Sequence, residues 1–175
     1  MIKNFRILAL FFALFFLTST KIFAQSNYVL PYPSSMPGSL SYKIHIIYEN
    51  FSKYWYFGDF GQFDYNLKLA DKYLVEAKTL FEYKQYLLGY NALKKSDQYF
   101  VGIIPSLAKA EEHGKNILQK KLILNEAARK HMEVLREMEK SVPGIFIWEP
   151  EKSAPTTLDL KTTIDKSINL RQKNV

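Results

Sequence analysis

Apolar residues recur at three- and four-residue spacing through most of the chain, the period of helices that bury one face. From about Leu40 to Tyr56 the residues Tyr42, Ile44, Ile47, Tyr48, Phe51 and Trp55 form such a stripe. The segment Phe57-Gly58-Asp59-Phe60-Gly61 breaks it, because two glycines favour a turn. A second helix is predicted from about Asp64 to Glu82, with Ala70, Tyr73, Leu74, Ala77 and Phe81 on one face and Asp64 near its positive end. After the polar turn Glu82-Tyr83-Lys84-Gln85, a third runs from about Tyr86 to Val101, where Gly102 and Pro105 should end or kink it. A fourth is expected from about Ser106 to Ser141, with a seam of Leu118, Leu122, Ala128, Met132, Leu135 and Met138 and a weak point at Gly114.

Two segments depart from that period. Leu30-Pro31-Tyr32-Pro33 and Met36-Pro37-Gly38 deny backbone donors, so residues 25–39 read as an extended lead-in, with Ser39 or Ser41 positioned to cap the first helix. Past Val142-Pro143-Gly144, the run Ile145-Phe146-Ile147-Trp148 reads as an apolar extended strap. Thr156-Thr157-Leu158-Asp159 resembles a capping box before a short amphipathic helix marked by Leu160, Ile164 and Ile168, and Arg171 to Val175 should fray. Small residues at Ala70, Ala77, Gly89 and Ala92 sit where two helices would cross closely, so residues 67–100 resemble one tetratricopeptide-type hairpin. No second copy follows, and stacked repeats generally need about three units. The fold class is therefore all-α: a small bundle of about four helices containing that hairpin, with a strap and a short C-terminal helix.

The first residues change the picture of compartment. Lys3 and Arg6 precede a continuous apolar run, Ile7 to Leu17; Thr18, Ser19 and Thr20 follow, then Ile22-Phe23-Ala24 before Gln25. These are the parts of a secretory signal peptide, with cleavage expected between Ala24 and Gln25. The run is shorter than the about 20 apolar residues that a spanning helix needs. The division that follows is signal 1–24, lead-in 25–39, helical domain 40–142, and strap with amphipathic tail 143–175, giving an exported protein, periplasmic, cell-surface or extracellular. Without cleavage it would be membrane-anchored. The chain has no cysteine, so neither lipidation of a cysteine nor a disulfide supports it. Its formal charge is +7. Removing Lys3, Arg6 and Lys21 leaves 21 basic against 17 acidic residues, or +4. The remaining Lys and Arg alternate with Glu and Asp on helices, the pattern of solvated faces and not of a phosphate track. Nucleic acid is not an expected partner; contact with an anionic envelope surface is compatible.

The runs LPYPSSMPGSLSYK (Leu30 to Lys43) and LADKYLVEAKTLFEYKQYLLGYNALKKSDQYF (Leu69 to Phe100) together resemble a family of secreted bacterial helical proteins defined only as a domain of unknown function. The similarity covers roughly residues 30–100. It implies location and a helical fold, and it carries no mechanism and no catalytic residues.

Reactive constellations are not apparent. On one straight helix His113 and His131 would lie about 27 Å apart, too far to share a metal, and His45 has no partner at ligand spacing. The three histidines read as surface or half-buried, and no metal or cofactor is expected. Glu111, Glu112, Glu133, Glu137 and Glu139 alternate with Lys115, Arg129, Arg136 and Lys140 as ordinary helical ion pairs. No Gly-x-Ser-x-Gly elbow, Ser-x-x-Lys set or glycine-rich phosphate loop occurs. Asn50-Phe51-Ser52 matches a glycosylation acceptor and reads as chance.

The density of aromatics from Tyr48 to Tyr65 stands out. Consecutive residues Tyr54, Trp55, Tyr56 and Phe57 are separated by about 100° on a helix and cannot all share a face. The ordinary reading is that the lead-in and strap cover them as core. The functional reading makes Tyr54, Trp55, Tyr56, Phe57 and Phe60 an interaction surface. The expected role is a non-enzymatic module of the cell envelope acting on a protein partner. The alternative is an envelope glycan or lipid binder using Trp55. An enzyme would need Asp59 in a pocket with a histidine or lysine in reach.

Overall fold

A computed structural model describes residues 26–33 and 35–174. The signal segment, with the expected cleavage between Ala24 and Gln25, lies outside the described residues. The elements are α1 (Leu40–Ser52), α2 (Gly58–Glu82), α3 (Tyr86–Glu112), α4 (Leu118–Ser141), β1 (Ile145–Trp148), β2 (Thr156–Asp159) and α5 (Leu160–Gln172). The architecture is an all-α bundle with one two-stranded sheet, as the periodicity predicted.

The expected hairpin is present and longer than read, formed by α2 and α3. Its turn is set by Lys84 at φ 59°, with Lys84 N–H donating to the Phe81 carbonyl and Gln85 N–H to that of Leu80. This satisfies the last carbonyls of α2 in the pattern of a left-handed helix cap. The small residues do bring the helices together. A Cβ on Gly89 would stand 2.6 Å from Cδ1 of the Phe81 ring.

Boundaries differ from expectation in two regions: α1 ends at Ser52 and not at Tyr56, and α2 starts at Gly58, inside the segment expected to be a turn; the larger difference lies between α3 and α4. α3 runs through Gly102 and Pro105 to Glu112, and α4 starts at Leu118 and not at Ser106. Ile103, Leu107 and Ala110 are buried, and their burial outweighs the one backbone bond that proline removes. The break falls at Gly114, φ +70°. There Gly114 N–H donates to the Glu111 carbonyl and Lys115 N–H to that of Ala110. The predicted seam holds only from Ala128 onward, since Leu118 and Leu122 are exposed. The strap forms β1, paired antiparallel with β2 from Ile145↔Asp159 to Trp148↔Thr156. Only Phe146 turns inward, against Tyr86 with ring centroids 4.9 Å apart. Thr156 lies in β2 and does not cap the helix. Asp159 is the cap itself, accepting from Thr162 N–H at 3.0 Å.

Two large apolar clusters, with a smaller one of Tyr65, Leu69 and Tyr73, fill the bundle. The first gathers Leu74, Leu80, Phe81 and Leu93 with Leu135, Met138, Leu158, Leu160 and Ile164. The second gathers Phe63, Leu67, Phe100, Ile103 and Leu107 with Leu124 and Ala127. A polar layer lies between them. His131 and Arg171 are fully buried, which corrects both the surface reading of the histidines and the expected fraying from Arg171. The Arg171 guanidinium donates to His131 Nδ1 (3.0 Å), Asp97 Oδ1 (2.6 Å), Ser96 Oγ (2.9 Å) and the Ser167 carbonyl (3.0 Å). Arginine has no acceptor, so His131 Nδ1 must be unprotonated and Nε2 carries the proton, donated to Asp71 Oδ1 at 2.6 Å. Tyr28 OH completes the set by donating to Asp71 Oδ2 at 2.6 Å. The layer thus ties the lead-in to α2, α3, α4 and α5.

Candidate functional site

The first helix is built inside out. Gly38 takes φ +102°, a left-handed conformation that glycine adopts freely, and turns the chain out of the lead-in. Ser39 then caps α1, its Oγ accepting from Tyr42 N–H at 3.1 Å. α1 meets the body through its polar side. Tyr42 OH donates to Glu76 Oε1 (2.9 Å), and Tyr73 OH donates to Glu49 Oε2 (2.9 Å). Tyr65 OH donates to the Glu49 carbonyl, and Lys72 pairs with the Glu49 carboxylate. At 100° per residue, Leu40, Ile44, Ile47, Tyr48 and Phe51 lie opposite Tyr42 and Glu49. These five apolar residues are 57–79% exposed. The stripe expected to face the core therefore faces solvent, with only Tyr42 turned inward. Tyrosine hydroxyls bonded to two carboxylates define the inward side, a preference that apolar spacing does not register.

The chain stays close to helical past the end of α1. Tyr54 N–H donates to the Phe51 carbonyl and Trp55 N–H to that of Ser52, so Tyr54 and Trp55 extend the same sector. Of the predicted surface residues, Tyr54, Trp55 and Phe57 are 71%, 68% and 80% exposed. Neither lead-in nor strap buries them, contrary to the core reading. Tyr56 and Phe60 are half-buried and leave the patch. The Tyr56 ring packs on Tyr65 at 5.5 Å, and Phe60 joins the second apolar cluster with the Lys115 ammonium 5.4 Å from its ring centre. Gly61 makes the turn possible, since a Cβ there would stand 2.7 Å from the Tyr56 carbonyl carbon. Between α1, α2 and the lead-in runs a groove of about 520 Å³ lined by Tyr32, Ile44, His45, Tyr48, Lys68 and Lys72, among others. Glu76 Oε2 is buried without a hydrogen-bond partner among the described residues. Burial holds that carboxyl above the ordinary carboxylate range, against the Tyr42 hydrogen bond and the Lys72 charge, which act to lower it.

Two other clusters bring titratable side chains together. Asp59 does have a histidine and a lysine in reach, accepting from Lys115 Nζ and paired with His113 Nδ1, each at 2.8 Å. The Lys115 and His113 hydrogen bonds hold it at about 2. Such a carboxylate is a poor general base near neutrality, and the cluster instead clips the α3–α4 turn to the start of α2. Asp71 and His131 have the geometry of a base and its orienting acid, but Arg171 occupies the remaining ring nitrogen, which leaves His131 no lone pair for a substrate proton. Burial further lowers its basicity. His113 and His131, read as one helix, belong to separate elements. Among the described residues no cluster of His, Asp or Glu could hold a metal, and no helix is long and apolar enough to cross a membrane. Comparisons with protein-family models, with curated proteins and with solved structures each found no match for this chain.

Proposed function

We propose that this chain is an exported, non-enzymatic interaction module of the cell envelope, which docks through the outward stripe of α1 and the aromatic turn Tyr54–Phe57. The carrying observation is the orientation of α1, whose polar side is spent on the bundle and whose apolar side is left in water. Burying an amphipathic helix the opposite way would stabilise an isolated domain by about 1.5–3 kcal/mol for each large apolar side chain. A contiguous apolar patch left exposed marks a surface that meets something else. The arrangement of Lys3, Arg6, the apolar run 7–17 and Ala24-Gln25 supports export.

The test is expression of the full-length chain in a bacterial host, followed by N-terminal sequencing and fractionation of wild type and of a Phe51→Ala/Trp55→Ala variant. The expected result is an N-terminus at Gln25, wild type retained with the envelope and the variant released. Equal release of both proteins, or a product that never leaves the cytoplasm, would overturn the reading.

A further inference from the structure

We infer that the component met by this face is an anionic lipid surface, on which α1 lies in the plane of the bilayer; the inference rests on the interaction reading above. The exposed apolar residues of α1 occupy one sector along its 13 residues, about 20 Å at 1.5 Å per residue. Trp55 and Tyr54 continue that sector at its end, and these are the side chains that settle at the depth of lipid headgroups. Charge separates the lipid from other occupants. The sequence contains no Asp or Glu before Glu49, and Glu49 is turned inward and paired with Lys72. The exposed charges bordering the stripe are cations: Lys43 on α1 and Lys68 beside the groove. Lysines at such a border extend their ammonium groups to headgroup phosphates while their stems lie along apolar surface. A second copy docked face to face would bring the same cations against each other, whereas an anionic bilayer neutralises them. The apolar run at residues 7–17 lies upstream on the same chain. A product that kept it would hold α1 close to the membrane, and a cleaved product would depend on α1 alone.

The experiment uses the exported product with whichever N-terminus it carries. Trp148→Phe makes Trp55 the single tryptophan, since the chain has two. Vesicles of phosphatidylcholine with phosphatidylglycerol are compared with phosphatidylcholine alone, reading Trp55 emission, acrylamide quenching and quenching by brominated acyl chains. These signals report Trp55 and not attachment through the N-terminus. On the anionic vesicles we expect a blue shift, several-fold protection from acrylamide and quenching by brominated lipid, all weakened by salt. Adding Ile44→Asp and Phe51→Asp should reduce partitioning by roughly a hundredfold or more with an unchanged thermal melt, since both positions are exposed. Trp55 equally open to acrylamide with and without vesicles overturns the lipid inference. In that case, protection on adding solubilised envelope protein keeps the interaction reading and replaces the occupant. Protection that grows with concentration of the protein alone assigns a second copy, and no protection under any condition brings down both readings.

Discussion

Replacing Arg171 by Met tests whether the polar layer holds the bundle together. The guanidinium is fully buried and makes four hydrogen bonds, to His131, Asp97, Ser96 and the Ser167 carbonyl. Met keeps most of the side-chain volume, so little of the effect comes from a cavity. What remains is a set of abandoned partners. His131 Nδ1 becomes a buried acceptor with no donor, at about 1–3 kcal/mol. Asp97 loses its cation but keeps the Ser167 hydroxyl at 2.6 Å and is 21% exposed, so solvent relieves part of the about 3–5 kcal/mol typical of breaking a buried ion pair. The expected net loss is about 3–4 kcal/mol, a large fraction of the about 5–15 kcal/mol that holds such a domain. Urea unfolding followed by far-UV circular dichroism at neutral pH measures it, with an unchanged slope showing that the compared states are the same. Arg171→Lys should recover part of the loss, because an ammonium can meet Asp97 but cannot span the other partners. Adding Asp97→Asn to Arg171→Met should restore about 1 kcal/mol or more by removing the stranded charge. A loss below about 1 kcal/mol, the size of an exposed pair such as Lys121–Glu111, would refute the reasoning.

Three further outcomes are expected. His131 is held neutral below its ordinary 6.5, first by burial and also by the Arg171 charge, with Asp71 acting the other way. The unfolded chain therefore binds the extra proton, so the stability present above the ordinary histidine range is lost as pH falls through and below about 6.5, with a limiting slope of about 1.4 kcal/mol per pH unit. Melting temperatures across pH should show this slope in wild type and not in His131→Gln, and parallel profiles would sink the assignment. Gly89→Ala should cost about 1–3 kcal/mol, because the added carbon would stand 2.6 Å from the Phe81 ring; a neutral melt would mean that the crossing is looser than described. The Asp59 carboxyl should titrate at about 2 by carbon NMR and move upward in Lys115→Ala, and an unmoved titration would show that the Lys115 contact does not form in solution.

Much of the fold was legible because apolar spacing reports burial. The positions of α2 and α3 along the hairpin, the strap, and Leu160, Ile164 and Ile168 on α5 all followed from it. The α3–α4 boundary was misplaced because Gly102 and Pro105 are stronger local breakers than Gly114, and only the burial of Ile103 and Leu107 decides between them. Spacing also failed for α1, where the apolar stripe is the outer side. Tyr42 and Glu49, seven positions apart and hence on one face, were the available signal, and reading them required knowing that Glu76, Lys72 and Tyr73 would await them. The aromatic cluster was found by density alone, yet density could not separate Trp55 in water from Tyr56 on Tyr65. His131 and Arg171 were misread because an isolated histidine and a late arginine carry no pattern. Their meaning is a pairing over 40 residues of separation.

The polar layer also sets an order of events. Tyr28 and Arg171 stand near opposite ends of the described chain and meet the same two-helix hairpin, Tyr28 at Asp71 and Arg171 at Asp97. The hairpin makes dense contacts of its own between neighbouring segments, the kind that form early. Its two carboxylates and His131 stay without their neutralising partner until residue 171 reaches them. Arg171 thus closes the middle of the molecule from its last helix, joining α5 to Ser96 and Asp97 of α3 and to His131 of α4.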